Sequence, residues 1–195
     1  MTWTSTETVS NADVARTNLA AETKTYPIPL TSLRVWDALH TTLPGTAAND
    51  DAALITGTPG TDAPTVQGLD SGGATTESKF AFEFALPPEY VDAGAVLIRV
   101  KGAMLTTVAD GSATIDFSCY SDDRDGTVSS DLVTTDAASI NSLTAAQIDF
   151  TVTATALTAG EKLIIVGDID VDDSGDAGVM IAEIQALELV LSVKG

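Results

Sequence analysis

The segment SKFAFEFAL, residues 78–86, carries the clearest structural signal in the chain. Apolar side chains occupy every second position, namely Phe80, Phe82, Phe84 and Leu86, and small or charged residues fall between them. Side chains alternate between the two faces of a β-strand, so this spacing predicts a strand with one buried face in an antiparallel sheet. Pro87 and Pro88 cannot donate to a ladder and are expected to end the strand.

Further strands are predicted on both sides of this segment. The strongest cover residues 95–108, 112–121, 149–156, 162–171 and 179–193, and weaker candidates cover 27–39, 52–56 and 65–69. In residues 112–121 the alternation places Ile115, Phe117 and Cys119 inward and Asp116, Ser118 and Tyr120 outward. Residues 136–147 are the only helical candidate, and an irregular connection suits them as well.

Turn residues predict how these strands follow one another. Gly102 indicates a bulge within its strand, and the Asp110-Gly111 pair predicts a hairpin turn. Loops rich in Gly, Asp and Pro separate the weaker strands. Many short strands divided by such turns indicate an all-β chain, an antiparallel β-sandwich of jelly-roll-like type, as a single domain over residues 25–195.

Residues 1–24 are rich in Thr, Ala and Asn and poor in large apolar side chains, which predicts an extended N-terminal arm. The arm is either a frayed terminus or a segment that orders against a neighbouring subunit. Tyr26 and Trp36, in the first predicted strand, are expected to pack in a core or interface rather than to stack on a ligand. With the apolar residues of the arm they form the predicted partner-binding set: Trp3, Val9, Val14, Leu19, Tyr26 and Trp36.

The net charge of the chain limits the classes of partner that we expect. Twenty-eight acidic residues against nine basic ones give a formal net charge of -19, which argues against nucleic acid and anionic membranes as partners. The acidic excess suits either dense display on a surface or adaptation to salt. The N-terminus lacks the basic and apolar regions of a secretory signal, and no run of apolar residues is long enough to span a bilayer.

The residues that catalysis needs are scarce. The single histidine, His40, makes a histidine-based triad unexpected, and the single cysteine, Cys119, is expected to be buried and structural. Neither a Gly-rich phosphate loop nor a convincing carboxylate pair for glycoside cleavage is present. The sequence therefore predicts a protein that is not an enzyme, with no catalytic residue and no cofactor.

The densest acidic stretch, residues 168–176, is the one candidate for an ion. Oxygen-bearing residues stand at alternate positions, as at the start of a calcium-binding loop: Asp168, Asp170, Asp172, Ser174 and Asp176. The twelfth position of a loop that begins at Asp170 is Ile181, so the bidentate carboxylate of such loops is missing. We expect a hairpin turn between two strands, with no metal. A solvated loop is likewise expected at residues 121–126.

Four stretches together resemble virion proteins of tailed bacteriophages. The four stretches are residues 29–37, 85–91, 106–113 and 156–163. Residues 85–91 contain a strand ending of the form Leu-Pro-x-x-Tyr, and residues 156–163 contain a turn of the form Leu-x-x-Gly-Glu-x-Leu. Phage β-sandwich proteins that coat capsids contain similar patterns. These are patterns of strand and turn, and they carry no catalytic residue across.

The resemblance implies a capsid decoration (cement) protein, a homotrimer on the outer surface of the virion that binds the major capsid protein and bridges capsid subunits. It would be made in the host cytoplasm. The alternative is a carbohydrate- or surface-binding β-sandwich module, such as a head fibre, tail or adhesion component. A sugar binder should present exposed aromatic side chains or an ion-held loop, and from the sequence only residues 168–176 suggest one.

Overall fold

The computed structural model describes residues 21–58, 60–108, 111–122, 127–173 and 179–195, and the structural statements below concern these residues. They form one short 3-10 turn, Leu30–Ser32, and twelve strands. The strands are β1 (Ala21–Pro27), β2 (Arg34–Val35), β3 (Ala38–Thr42), β4 (Ala53–Ile55), β5 (Thr65–Gln67), β6 (Thr75–Ala85), β7 (Val96–Met104), β8 (Ser112–Asp122), β9 (Ala138–Ser139), β10 (Ala146–Val152), β11 (Lys162–Asp172) and β12 (Ala182–Lys194). Among these residues no helix is long and apolar enough to cross a membrane.

Two antiparallel sheets make up the fold. The first has the strand order β10-β7-β12-β5-β4, and the second has the order β3-β2-β6-β11-β8-β9. The long strand β12 pairs with β5 near its start and with β1 along its second half. Strand β11 lies at the centre of the second sheet, where β6 and β8 flank it over its whole length.

The chain passes back and forth between the sheets. From β5 to β12 each strand lies in the sheet opposite the one before it, except that β8 and β9 share a sheet. The resulting orders, β5-β12-β7-β10 and β6-β11-β8-β9, are those of a jelly roll, a sandwich of eight strands built from two Greek keys. The predicted jelly-roll-like antiparallel β-sandwich is confirmed.

The core lies between the inner faces of the sheets. Phe80, Phe82 and Leu86 are buried as predicted, and Phe84 is half-buried with its ring edge-on to Tyr26. Phe117 joins Phe80 on its own sheet to Phe150 on the other, with ring centroids 6.0 Å and 5.0 Å apart. Edge-to-face packing of this kind adds to the stability that burial of the rings supplies.

Strand pairing corrects two predicted hairpins. Strands β7 and β8 lie in different sheets, so they do not form the hairpin predicted from the Asp110-Gly111 pair, of which Asp110 lies outside the described residues. Likewise β11 and β12 lie in different sheets, so these two strands do not form the hairpin predicted around residues 168–176, of which 174–176 lie outside the described residues. The turn chemistry is local, whereas the sheet that each strand joins is set by which residues it can bury, and that depends on the whole chain.

Smaller differences concern single elements. The register shift expected at Gly102 occurs opposite it, between Ile184 and Ala186 of β12. Residues 136–147 are not helical: they hold β9 and the start of β10 with an irregular connection between them. The predicted strand 27–39 is divided among the end of β1, the 3-10 turn, β2 and the start of β3.

The boundary of the predicted arm also shifts. Strand β1 begins at Ala21, so the last four residues of the predicted arm 1–24 pair with β12 instead of standing apart from the sandwich. The rest of the arm, with Trp3, Val9, Val14 and Leu19, lies outside the described residues.

Candidate functional site

The outer face of the second sheet brings together side chains from three long strands. The register of β6, β11 and β8 places their outward residues in rows across the sheet: Glu77–Asp170–Thr114, Lys79–Asp168–Asp116, Ala81–Val166–Ser118, Glu83–Ile164–Tyr120 and Ala85–Lys162–Asp122. The third and fourth of these five rows, which contain Val166 and Ile164, are largely apolar, and charged rows lie on both sides of them. This face therefore has an apolar centre between polar ends.

A groove of about 480 Å³ runs over this face. Ile164 and Val166 contribute to its floor, and Trp36 lines it from the turn between β2 and β3. Val128, which is 58% exposed, and Tyr120 also line the groove. Concave sites with an apolar lining and a few placed polar groups are where proteins usually bind small molecules.

Trp36 is held in a fixed orientation. Its indole N–H donates to Asp50 Oδ2 over 3.0 Å, and the ammonium of Lys79 lies 5.1 Å from the centre of its ring. The segment that carries Asp50 is itself tied to β6, because the Lys79 N–H donates to the Asp50 carbonyl over 2.7 Å. An aromatic wall whose orientation is already set loses little entropy when a ligand packs on it.

Glu77, Lys79 and Asp168 form a charged cluster at one end of the groove. Lys79 Nζ lies 2.8 Å from Glu77 Oε1 and 3.8 Å from Asp168 Oδ2. Burial, and then a hydrogen bond with Glu77, raise the pKa of Asp168 to about 7. The hydrogen bond from Lys79 lowers the pKa of Glu77, so the proton of this pair is held mainly by Asp168 at neutral pH.

The buried atom Asp168 Oδ1 has no hydrogen-bond partner among the described residues. A bare carboxylate oxygen away from water is costly, which agrees with a neutral Asp168. Strongly shifted carboxyl groups in a cleft are typical of functional sites.

A second cross-strand ion network lies on the same outer face, beyond Ile164 and outside the lining of the groove. Lys162 Nζ lies 2.9 Å from Glu83 Oε1 and 3.1 Å from Asp122 Oδ2. Lys162 on β11 stands directly opposite Asp122 on β8, whereas Glu83 on β6 belongs to the neighbouring row and meets Lys162 diagonally. The apolar floor is thus bounded by ion pairs on both sides.

The structure separates the two aromatic residues predicted to bind a partner. Trp36 lines the groove, in a turn and not in the first strand as predicted. Tyr26 lies in β1, where its ring meets Phe84 and its hydroxyl donates to Glu89 Oε1 over 3.1 Å. Tyr26 does not line the groove.

The acidic stretch predicted as a possible calcium loop begins as a strand. Asp168, Asp170 and Asp172 lie on β11 at alternate positions of its outer face, where they are spread along the strand and not wrapped around one point. Ser174 and Asp176 lie outside the described residues. Within the described part of the chain, no three His, Cys, Asp or Glu side chains are grouped so as to hold a metal ion.

The remaining residues singled out from the sequence are in their expected surroundings. His40 is exposed on β3. Cys119 is fully buried on the inner face of β8, and burial raises the pKa of its thiol to about 12, so it is unreactive at neutral pH.

The sequence analysis did not predict that the residues lining the groove come together. Two facts are needed to locate the groove. The first, the outward direction of Asp116, Ser118 and Tyr120 on β8, was predicted. The second is the pairing of β11 with both β8 and β6. Strand β11 begins about forty residues after β8 ends. No local pattern reports such pairing.

Comparisons with known proteins find similar folds only at a distance. No protein-family model matches the sequence, and no curated protein matches it either. The solved structure of the xylan-binding module CBM15 is 13% identical, with a TM-score of 0.48 over 89% of this chain and 100% of that one. A family 16 carbohydrate-binding module is 12% identical, with a TM-score of 0.38 over 75% of this chain and 88% of that one. The structure of infectious bursal disease virus, Gt strain, is 12% identical, with a TM-score of 0.36 over 75% of this chain and 39% of that one. Likenesses this distant do not bear on function.

Proposed function

We propose that this chain is a non-catalytic β-sandwich module that binds a saccharide chain in the groove of the second sheet. The observation that carries this proposal is the fixed orientation of Trp36 beside an apolar floor, with a row of charged side chains at one end. This is the alternative function derived from the sequence, and the groove supplies the aromatic side chains that the sequence did not reveal.

The chemistry of the groove matches that of a sugar ring. A pyranose has an apolar face of C–H groups and a rim of hydroxyls. Ile164, Val166, Tyr120 and the indole of Trp36 offer apolar and aromatic surface to the face of the ring. Asp116 and Ser118 lie in the same groove and offer hydrogen-bond acceptors and donors to the hydroxyls.

The carboxyl groups of the groove favour binding over cleavage. Two-carboxylate glycoside hydrolysis needs its acids about 5–10 Å apart on opposite sides of the bond. Glu77 and Asp168 share a hydrogen bond instead, and Glu83 is held by Lys162. The proposal therefore assigns no catalytic role to these acids.

Calorimetric titration with neutral oligosaccharides, chosen by screening a glycan array, tests this function. We expect Trp36→Ala to weaken binding at least about tenfold, as for aromatic residues at the centre of other interfaces. Leu143→Ala is the matched control, because it removes an apolar side chain that is 68% exposed and outside the groove. Equal affinity of the two variants, or no binding to any glycan, would refute the proposal.

A structural role in a virion is the second candidate, and one observation favours it. Within the described residues β1 pairs only with β12, which leaves its other edge open to a strand from a neighbouring subunit. In this role the chain would form a homotrimer on the outer surface of a capsid and bind the major capsid protein. The acidic surface would suit dense display there.

Analytical ultracentrifugation separates the two candidates. The decoration role predicts a stable trimer at micromolar concentration, because the contacts that bridge capsid subunits need a symmetric assembly. A strict monomer that binds a glycan would support the saccharide-binding module and reject the trimer.

A further inference from the structure

The charges around the groove carry an inference about its ligand. We infer that the groove accepts uncharged glycan chains and rejects chains that carry carboxylate or sulfate groups. This inference rests on the proposed saccharide-binding function and names the ligand class of that same site.

Carboxyl groups outnumber cations where the ligand would lie. Among the described residues that line the groove, Lys79 is the one cation, and Glu77 matches its charge at 2.8 Å, which leaves the carboxylate of Asp116 in the lining. Asp170 and Glu77 stand in the adjacent row, on the same outer face. An anionic group on the ligand would therefore meet like charges at that end of the groove. Repulsion between like charges is the usual means by which binding sites exclude such ligands.

The ammonium of Lys79 is already engaged. It is 2.8 Å from Glu77 Oε1, 3.8 Å from Asp168 Oδ2 and 5.1 Å from the centre of the Trp36 ring. An anion that paired with Lys79 would have to separate it from Glu77 and leave that carboxylate without its partner. It would also remove the cation that helps to hold Trp36. Lys79 is thus a positioning residue for the aromatic wall and not a receptor for ligand anions.

The ion network outside the lining of the groove repeats this arrangement at the other end of the same outer face. Lys162 lies between Glu83 and Asp122 at 2.9 Å and 3.1 Å, so its charge is also matched by carboxylates. Among the described residues at the two ends, both lysines, Lys79 and Lys162, are paired with carboxyl groups. The net charge of -19 adds a repulsion of longer range, which salt screens, whereas contacts within the groove are screened less.

The test compares two ligands that differ only in charge. A neutral oligosaccharide that binds in the calorimetric assay is paired with the same chain oxidised at C6 to uronic acid units. At 50 mM salt we expect the neutral chain to bind at least tenfold more tightly. At 500 mM salt we expect the discrimination to shrink but to persist.

Variants show whether the groove itself sets the discrimination. Asp116→Asn should reduce the preference for the neutral chain, because it removes a carboxylate beside the ligand. Asp136→Asn is the control: it changes the net charge like Asp116→Asn but lies on an exposed segment outside the groove. Thermal melts confirm that each variant is folded.

The outcomes distinguish a failure of the charge selectivity from a failure of the proposed saccharide-binding function. Failure of every neutral glycan to bind in the calorimetric assay would refute the saccharide-binding function. Equal binding of the two ligands would refute the charge selectivity and leave that function standing. Equal effects of Asp136→Asn and Asp116→Asn would assign the discrimination to net charge and overturn the role of the groove.

Discussion

Gly167 stands on the inner face of β11, directly against the ring of Phe80 on β6. A Cβ atom at this position would come within 2.3 Å of Phe80 Cζ, closer than any real contact. The ring cannot move away easily, because it is fully buried and packed edge-on to Phe117. The glycine is therefore required by close approach at the centre of the core.

Gly167→Ala should lower the free energy of unfolding by about 1–3 kcal/mol, the usual cost of overpacking a core. Urea denaturation measures it. The control is Gly45→Ala, where a Cβ would meet nothing within 4 Å. Equal stability of the two variants would show that the Phe80 ring does not pack on Gly167 as described.

Asp168 should make stability depend on pH. Its pKa is raised from the ordinary value of 3.8 to about 7, so the folded state binds its proton more tightly than the unfolded state does. The stability that this supplies is complete below about pH 4 and is lost as the pH rises to about 7. Among the charges on the same face, Glu77 and Asp170 add to the rise in the pKa of Asp168, and Lys79 opposes it.

Asp168→Asn keeps the shape of the side chain and removes its charge. At pH 8 the variant should unfold with a free energy about 1–2 kcal/mol higher than the natural protein, after allowance for partial exposure of the side chain. At pH 4 the two proteins should be nearly equal. Melting curves across this range check the sign, and a variant that is less stable at pH 8 would contradict the assignment of a neutral Asp168.

For single residues, the sequence predicted those properties that depend only on neighbouring positions in the chain. The inward direction of Phe80, Phe82, Ile115 and Cys119 followed from alternation alone. The environment of Asp168 did not, because its partners Glu77 and Lys79 lie about ninety residues earlier and meet it only through strand pairing. Trp36 was expected in a core or interface for the same reason: its groove is formed by distant strands.

Strand β1 is the element whose contribution is easiest to isolate. It pairs with β12 from Ala21 to Pro27 and anchors its end through Tyr26, which contacts Phe84 and Glu89. Lys24 adds a looser ion pair with Glu89 at 3.8 Å. Exposed pairs of this kind contribute little, so the ladder and the Tyr26 ring supply most of the stability.

Deletion of residues 1–27 should lower the melting temperature by about 5 °C or more, because it removes the ladder and uncovers the edge of β12. Deletion of residues 1–20 is the matched control, since it leaves all of β1 in place. If the two deletions melt at the same temperature, β1 does not stabilise the sandwich as its pairing indicates.

Among the elements, the position of a strand was easier to predict than its partner. Strands β6, β8, β11 and β12 lie where alternation placed them, within a few residues. Both predicted hairpins failed, because a jelly roll sends successive strands to opposite sheets. Turn residues such as Asp-Gly report a reversal of the chain, and they do not report which sheet the next strand joins.

The whole molecule is a jelly roll whose second sheet presents a groove on its outer face. The fold class followed from strand length, turn spacing and the absence of strong helical periodicity. The function did not follow from the fold, because jelly rolls serve in both capsids and lectins. The features that bear on the two uses here are the groove with Trp36 and the edge of β1 that pairs with no other strand in the described part of the chain.

NMR titration of the labelled protein with the neutral oligosaccharide tests most directly whether this groove is the binding site. Ligand-induced shifts should concentrate on the Trp36 indole N–H and on the methyl groups of Ile164 and Val166. The methyl groups of Leu97, on the other sheet, should stay unchanged. Shifts on the other sheet with the signals of Trp36, Ile164 and Val166 unmoved would contradict the account.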